Sequence, residues 1–283
     1  MTPAMITHID DLGCSLGSVV SMEAAFSRGS VTSGSAIVPA GWFPEVVRLA
    51  GRIPAIDLGV HLALTSESAA FRWAPLSTRS RASGLMDDAG YLWSDVPSVR
   101  RHAHPAAVEE ELHAQVEAAL LAGIDVTHLD HHMGAALAPE FAEATARVAE
   151  HHRIPMLFPV DLAGYVSVLN MGPLDLEPLE PVRARLVESG LVFGDRFVMG
   201  LTYRDGDADT EFRRLLESPG HGLTFVSLHC AAPGDIERVH PADAHWRIAE
   251  HRLFNDDDFA GWLASRPANL VGCRQMRDAA RSR

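Results

Sequence analysis

The chain is poor in cysteine: Cys14, Cys230 and Cys273 are the three it has among 283 residues, widely separated and without a CxxC pair. An odd, scattered set builds no disulfide framework and suits a reducing compartment. Each reads as a small buried apolar side chain. Long hydrophobic runs are missing as well. No apolar stretch reaches membrane-spanning length, and Thr2-Pro3 with the early Asp10 spoils a signal-peptide pattern. The expected location is therefore the cytoplasm. Basic charge is outweighed, with 24 Lys and Arg against 37 Asp and Glu and a formal net charge of −13. That balance argues against a nucleic-acid backbone or an anionic membrane as the main partner. A glycine-rich phosphate motif of the GxGxxG or P-loop type is absent, which weakens a nucleotide-binding reading.

What the chain does have is a hydrophobic content of 47%, enough for one large domain or two small ones, and an unusual fifteen histidines. Strand-like and helix-like segments alternate along its whole length. Ala4–Ile6 leads a first strand into Asp10-Asp11, and a helix-like run from Leu16 ends at Arg28-Gly29. Further strands are expected at 31–38, 56–64, 124–130, 154–160, 196–201, 223–230 and 270–273. Helices are expected at 43–50, 106–122, 139–151, 182–188, 210–217, 242–254 and 258–264. The segment 56–64 is apolar almost throughout, as a parallel strand covered on both faces requires. The region 161–177 reads as irregular, with Gly164, Gly172 and Pro173. Seven or eight such units in one chain match a single closed (β/α) barrel of the TIM type, with a doubly wound open sheet as the alternative. No linker or internal repeat divides it, so residues 1–283 are expected to form one domain. The exception to the rhythm is 65–105, a long connection carrying Phe71, Trp73, Tyr91 and Trp93. So long a segment in a compact domain is usually a functional loop or lid, although a small satellite core would use the same aromatics.

Four polar clusters fall at or near strand C-termini: Asp10-Asp11, His61, Asp130-His131-His132 and His229. A parallel barrel gathers all strand C-termini on one face, where active sites sit. Adjacent strand residues point to opposite faces, so Asp10 and Asp11 share a site only where the backbone turns. Gly13 permits that turn. One carboxylate can then bind a metal while the other takes a proton, and an Asp with two His suits a divalent cation. Singly, each has a plainer reading: the Asp pair as a helix cap, His61 as a hydrogen-bonded core residue. His128 reads as structural, while His102, His104, His151 and His152 read as exposed loop or helix-end residues.

The segments Ile9–Gly13, Gly29–Ser33, Gly59–Thr65 (GVHLALT), Thr127–His132 (THLDHH) and the Leu228-His229 strand end resemble those of the YdjC-like carbohydrate deacetylases, the group that includes chitooligosaccharide deacetylases. They come in that family's order over residues 5 to about 265, and the Arg247–Glu250–Leu253 stretch is similar to its last motif. The resemblance implies a distorted (β/α) barrel related to polysaccharide deacetylases. It also implies one divalent metal ion, Mg2+ or Zn2+, on Asp11, His61 and His132, with Asp10 as catalytic base and His229 as the group that protonates the leaving amine. The chain departs from the family pattern at Met133-Gly134-Ala135, at Met156-Leu157-Phe158 and at Cys230-Ala231-Ala232-Pro233, differences that bear on substrate identity.

The function expected is a metal-dependent hydrolysis that removes an N-acetyl group from an acetylated amino sugar or oligosaccharide. The alternatives are hydrolysis of another small amide or ester on the same scaffold, and non-catalytic carbohydrate binding. Expected partners are a small-molecule or oligosaccharide substrate, with neither nucleic acid nor membrane; a homodimer is compatible with this.

Overall fold

The structure is a computed structural model that describes residues 3–169, 171, 174–200, 207–217 and 220–282. Strand β1 (Ala4–Leu12) is buried along nearly its whole length, which suits its mostly apolar sequence; Thr7 and His8 are the polar residues before the two aspartates. Ser15 caps the next helix, α1 (Leu16–Arg28), accepting from Ser18 N–H, and Gly29 closes it in the left-handed conformation. The chain continues through β2 (Ser33–Ala36), α2 (Phe43–Arg52), β3 (Leu58–Leu62), α3 (Val96–His102), α4 (Pro105–Leu121), β4 (Leu129–His131), α5 (Ala142–His152) and β5 (Met156–Leu157). After these come α6 (Leu162–Val168), α7 (Leu179–Glu188), β6 (Val192–Phe193), β7 (Arg196–Met199), α8 (Ala208–Leu216) and β8 (Leu223–Leu228). The last elements are α9 (Ile236–Val239), α10 (Ala244–Phe254), α11 (Asp257–Ala264), β9 (Asn269–Leu270) and α12 (Arg274–Arg281).

All strand pairings are parallel, and the sheet runs β6-β5-β4-β3-β2-β1-β8-β7, with β9 added beside β1. Its two ends, β6 and β7, are consecutive in the chain, separated by Gly194 and Asp195 alone. Residues 192–199 thus form one bent path whose first part pairs with β5 and whose second part pairs with β8. Gly194, at φ +97°, supplies the bend. The sheet therefore curls into a (β/α) barrel, as the alternation of elements leads one to expect, in the distorted form that the family resemblance implies. Gly59 shows how tightly its wall is built: a Cβ there would meet the His128 imidazole and carbonyl at about 2.5 Å.

Boundaries differ locally from expectation. The strand read at 124–130 is regular only over Leu129–His131, although Thr127 N–H and Val60 N–H already donate across to Leu58 and His128 carbonyls. Part of the region expected to be irregular folds as α6. Gly172, Pro173 and Leu201 lie outside the described residues. The segment 65–95 has little regular structure beyond a short turn of helix at Arg81–Ser83, and it packs back on the barrel through Trp73 and Leu92.

Candidate active site

Asp10 and Asp11 reach one cavity because β1 is bulged between them and its end. Between the pairs Ile9↔Gly34 and Leu12↔Ala36, β1 advances three residues while β2 advances two. The extra residue re-aims the backbone, and Asp11 takes φ +60°, a conformation that costs a non-glycine residue free energy and clusters at functional sites. His61 lies on β3 opposite Asp130 of β4. His132 follows β4 directly, and the next two residues, Met133 (φ +52°) and Gly134 (φ +71°), turn the chain sharply away. His229 follows β8.

One ligand atom each from Asp11, His61 and His132 lies within 4.8 Å of the other two, and all three residues are buried. Asp11 Oδ1 is 2.9 Å from His132 Nδ1 and 3.4 Å from His61 Nε2. Its other oxygen, Oδ2, accepts from Arg247 Nη1 at 2.9 Å. His61 Nδ1 sits 2.9 Å from Asp130 Oδ1, close but not aligned for a hydrogen bond. His132 Nε2 meets Glu67 Oε2 at 2.9 Å. Each imidazole thus has a carboxylate on the side away from Asp11, the arrangement that orients a metal-binding histidine.

Beside this cluster lies a second polar group. Asp10 Oδ2 accepts from Ser227 Oγ at 2.7 Å, and its Oδ1 is 3.3 Å from His8 Nε2 without an aligned hydrogen bond. His8 also bridges Ser33, Ser35 and Asp130. His229 Nε2 is 3.9 Å from Asp10 Oδ2, while Glu250 accepts from the His229 backbone N–H. His128 packs against His8 and bonds Thr127, away from the cavity. His131 turns to the Leu157 carbonyl, 2.8 Å away, although its ring still borders the cavity.

The cavity holds about 220 Å³. Its lining combines acidic and imidazole side chains with a mainly apolar set, Leu157, Tyr165, Leu169, Phe197 and Met199. Trp246 and Arg247 of α10 also border it, Trp246 lying edge-on to His229. Of the long 65–105 connection, Glu67 alone lines this space among the described residues. Phe71, Trp73, Tyr91 and Trp93 do not: Trp73 is buried and donates to the Thr65 carbonyl, Trp93 stacks on His102, and Tyr91 lies under Arg72.

The electrostatics follow from burying four carboxylates, Asp10, Asp11, Glu67 and Asp130, among imidazoles, with the Arg247 guanidinium against Asp11. Burial raises the Asp10 carboxyl to about 6, against the pull of His61 and His8. For Asp11 burial acts the same way, but His132 and Arg247 hold it well below the usual range. Burial opposes charge on His132, yet Glu67 and Asp11 carry it up to about 9; His61 is likewise raised, by Asp130 and Asp11. His229 goes the other way, down to about 3, through burial and the adjacent Arg247. The donor set fits a divalent cation: one carboxylate oxygen and two imidazole nitrogens converge in a pocket of excess negative charge. Sequence reasoning missed Glu67 and His240, which lie in irregular connections, and used Arg247 only as part of a motif. No periodicity marks the first two.

A parallel (β/α) barrel with carboxylates and imidazoles gathered at the C-terminal ends of its strands belongs to the class whose active sites open on that face. Within that class, the model of the family described as "YdjC-like protein" matches residues 4–265, and the chain belongs to that family. A carbohydrate deacetylase of Thermus thermophilus is 38% identical over 160 residues, covering 56% of this chain and 55% of that protein. One from Thermoanaerobacter pseudethanolicus is 23% identical over 255 residues, 90% of this chain and 91% of that one. The match thus spans about half the length of the first relative and nearly all of the second. The crystal structure of an Enterococcus faecalis protein, named for cellobiose-phosphate cleavage, superposes with a TM-score of 0.79 at 20% identity over 98% of this chain and 99% of that one, which establishes the shared fold.

Proposed function

We propose that this chain is a metal-dependent hydrolase that removes an N-acetyl group from an acetylated amino sugar or oligosaccharide, the whole of residues 1–283 acting as one catalytic domain. The observation that carries the proposal is the convergence of Asp11, His61 and His132 in one buried cluster with Asp10 beside it. The relatives named carbohydrate deacetylases support the substrate class.

Asp11, His61 and His132 hold the divalent cation, Mg2+ or Zn2+, which when bound supplies Lewis acidity at the scissile amide. Glu67 and Asp130 fix the ring orientations of His132 and His61. Asp10 is the base; a carboxyl with its pKa brought to about 6 is ionised at neutral pH yet far more basic than an exposed aspartate. His229 gives the proton to the departing amine. Burial and Arg247 lower the pKa of this imidazole to about 3, so the proton it passes on is one Asp10 has taken up during the reaction; at 3.9 Å the two groups are beyond direct hydrogen-bond reach, and the transfer runs through a bridging water. The apolar lining around Leu157 and Phe197 excludes bulk water. On this reading the enzyme works in the cytoplasm, a reducing compartment that three buried free cysteines suit.

The test is metal analysis of the purified protein, followed by acetate release from acetylated amino sugars with metal removed and restored. Acetate release that is unaffected by chelation would overturn metal dependence. Release from simple amides or esters but from no acetylated sugar would replace the substrate class.

A further inference from the structure

A second group of imidazoles lies on the outer helical layer, remote from the barrel mouth. His113 is on α4, and His151 and His152 form the last turn of α5. One ring nitrogen from each lies within 4.8 Å of the other two. His113 Nδ1 and His152 Nε2 are 3.0 Å apart, and the three ring centroids are 4.8 to 5.1 Å from one another. Nitrogens that share a tetrahedral cation at bond lengths of ~2.0–2.1 Å sit roughly 3.3 Å apart, so small side-chain rotations complete the geometry.

The two helices are held in register at this place. One turn before the cluster, Arg147 of α5 grips Glu109 of α4 through two guanidinium nitrogens. His113 is four residues beyond Glu109 and His151 four beyond Arg147, so the pairing advances in step and brings the imidazoles together, edge-on or tilted to one another. The C-terminal turn of a helix favours a cation, and exposed Glu117 lies on the side of His152.

We propose that His113, His151 and His152 form a peripheral site for a borderline divalent transition metal, such as Zn2+, Ni2+ or Cu2+, that clasps α4 to α5. Three nitrogen donors with no carboxylate select these ions over Mg2+ or Ca2+, which take oxygen ligands. The helices run opposite to the strands, so the end of α5 lies on the strands' N-terminal side. That is the stability face of a barrel rather than the catalytic one, and the bound ion stabilises the fold without entering the reaction.

The experiment titrates metal-freed full-length protein with Ni2+ by calorimetry. Wild type is compared with His113→Gln, His151→Gln and His152→Gln, each checked for an unchanged fold by circular dichroism. The expected result is about one equivalent of Ni2+ fewer per chain in each variant, a smaller Ni2+-induced rise in melting temperature and unaltered acetate release. With excess Cu2+, the electron paramagnetic resonance spectrum of wild type contains a second nitrogen-coupled species beside that of the barrel-mouth histidines, and the variants lose this second species. Equal stoichiometry and equal thermal shift in wild type and all three variants would overturn the site. Because the barrel-mouth ligands are intact throughout, a failure here is distinct from a failure of the deacetylase reading.

Discussion

Arg247 on α10 donates to Asp11 Oδ2 at 2.9 Å while the other oxygen of that carboxylate faces His132 and His61, so a single side chain joins a helix 236 residues away to the imidazole cluster. Asp11 is thereby kept ionised in a buried place. Removing the guanidinium strips Asp11 Oδ2 of its partner and leaves His132 as the remaining cation against this carboxylate; breaking a buried ion pair typically costs about 3–5 kcal/mol. Arg247→Met is therefore expected to lower the melting temperature of the metal-freed protein by several degrees. Saturating metal should restore part of that loss, because a cation can do for Asp11 what Arg247 did. An unchanged melting temperature without metal would show that Asp11 does not depend on this partner.

The bulge that turns Asp10 and Asp11 into one cavity also lets chemistry tell them apart. Asp10→Asn keeps the hydrogen bond to Ser227 and touches none of the three converging ligand atoms. It should retain metal and fold while the rate falls by roughly 10²–10⁴, the usual contribution of a general base, with KM little changed. Asp11→Asn replaces an anionic ligand by a weaker neutral one and should release the metal. Elemental analysis alongside kcat decides the matter. Metal lost in Asp10→Asn and kept in Asp11→Asn would exchange the roles.

The fold was legible because parallel strands buried on both faces leave continuous apolar runs, as in Leu58–Leu62 and Leu223–Leu228. Strand-end polar residues were legible for a related reason: His61, His132 and His229 interrupt or close such runs. Glu67, which contacts His132, sits in a serine-rich turn that resembles any exposed loop, and Arg247 is one charge among many on a polar helix. The barrel's closing path was also hidden. A strand was expected at 196–201 and is found at Arg196–Met199, but Val192–Phe193 is too short for a period to emerge, and the continuity of the two depends on the bend at Gly194. Helix α12 escaped notice because its sequence is strongly polar, its Arg277 being buried against Asp125 rather than exposed.

Substrate contacts are expected on the apolar lining and not on the aromatics of the long connection. Phe197 lines the cavity, while Trp93 donates to the Gly84 carbonyl and stacks on His102. Phe197→Ala should raise KM or reorder substrate preference with metal content unchanged. Trp93→Ala should lower stability by a few kcal/mol, the range for truncating a packed aromatic, and leave KM alone. Steady-state kinetics on a panel of acetylated sugars, paired with thermal melts, separates the two. A KM effect confined to Trp93→Ala would return the long segment to the mouth.

The same segment is predicted to loosen in acid. Asp87 accepts from Arg72 Nη1 at 2.6 Å and from the Ala89 and Tyr91 backbone N–H groups at 2.9 and 3.2 Å, tying the turn at 87–91 to the chain near Arg72. Burial acts to raise this carboxyl, but the Arg72 and backbone hydrogen bonds outweigh it and hold it below the usual aspartate value. A carboxyl whose folded pKa is depressed binds fewer protons folded than unfolded, so its stabilisation is complete above the unfolded value, ~4. It is lost as pH falls through the folded value. Limited proteolysis between Thr78 and Gly90 should therefore accelerate below about pH 4, ahead of global unfolding followed by circular dichroism. In Asp87→Asn the same cleavage should already be fast at neutral pH and show little further change in acid. Cleavage rates that match wild type at neutral pH would mean that this carboxylate does not hold the turn.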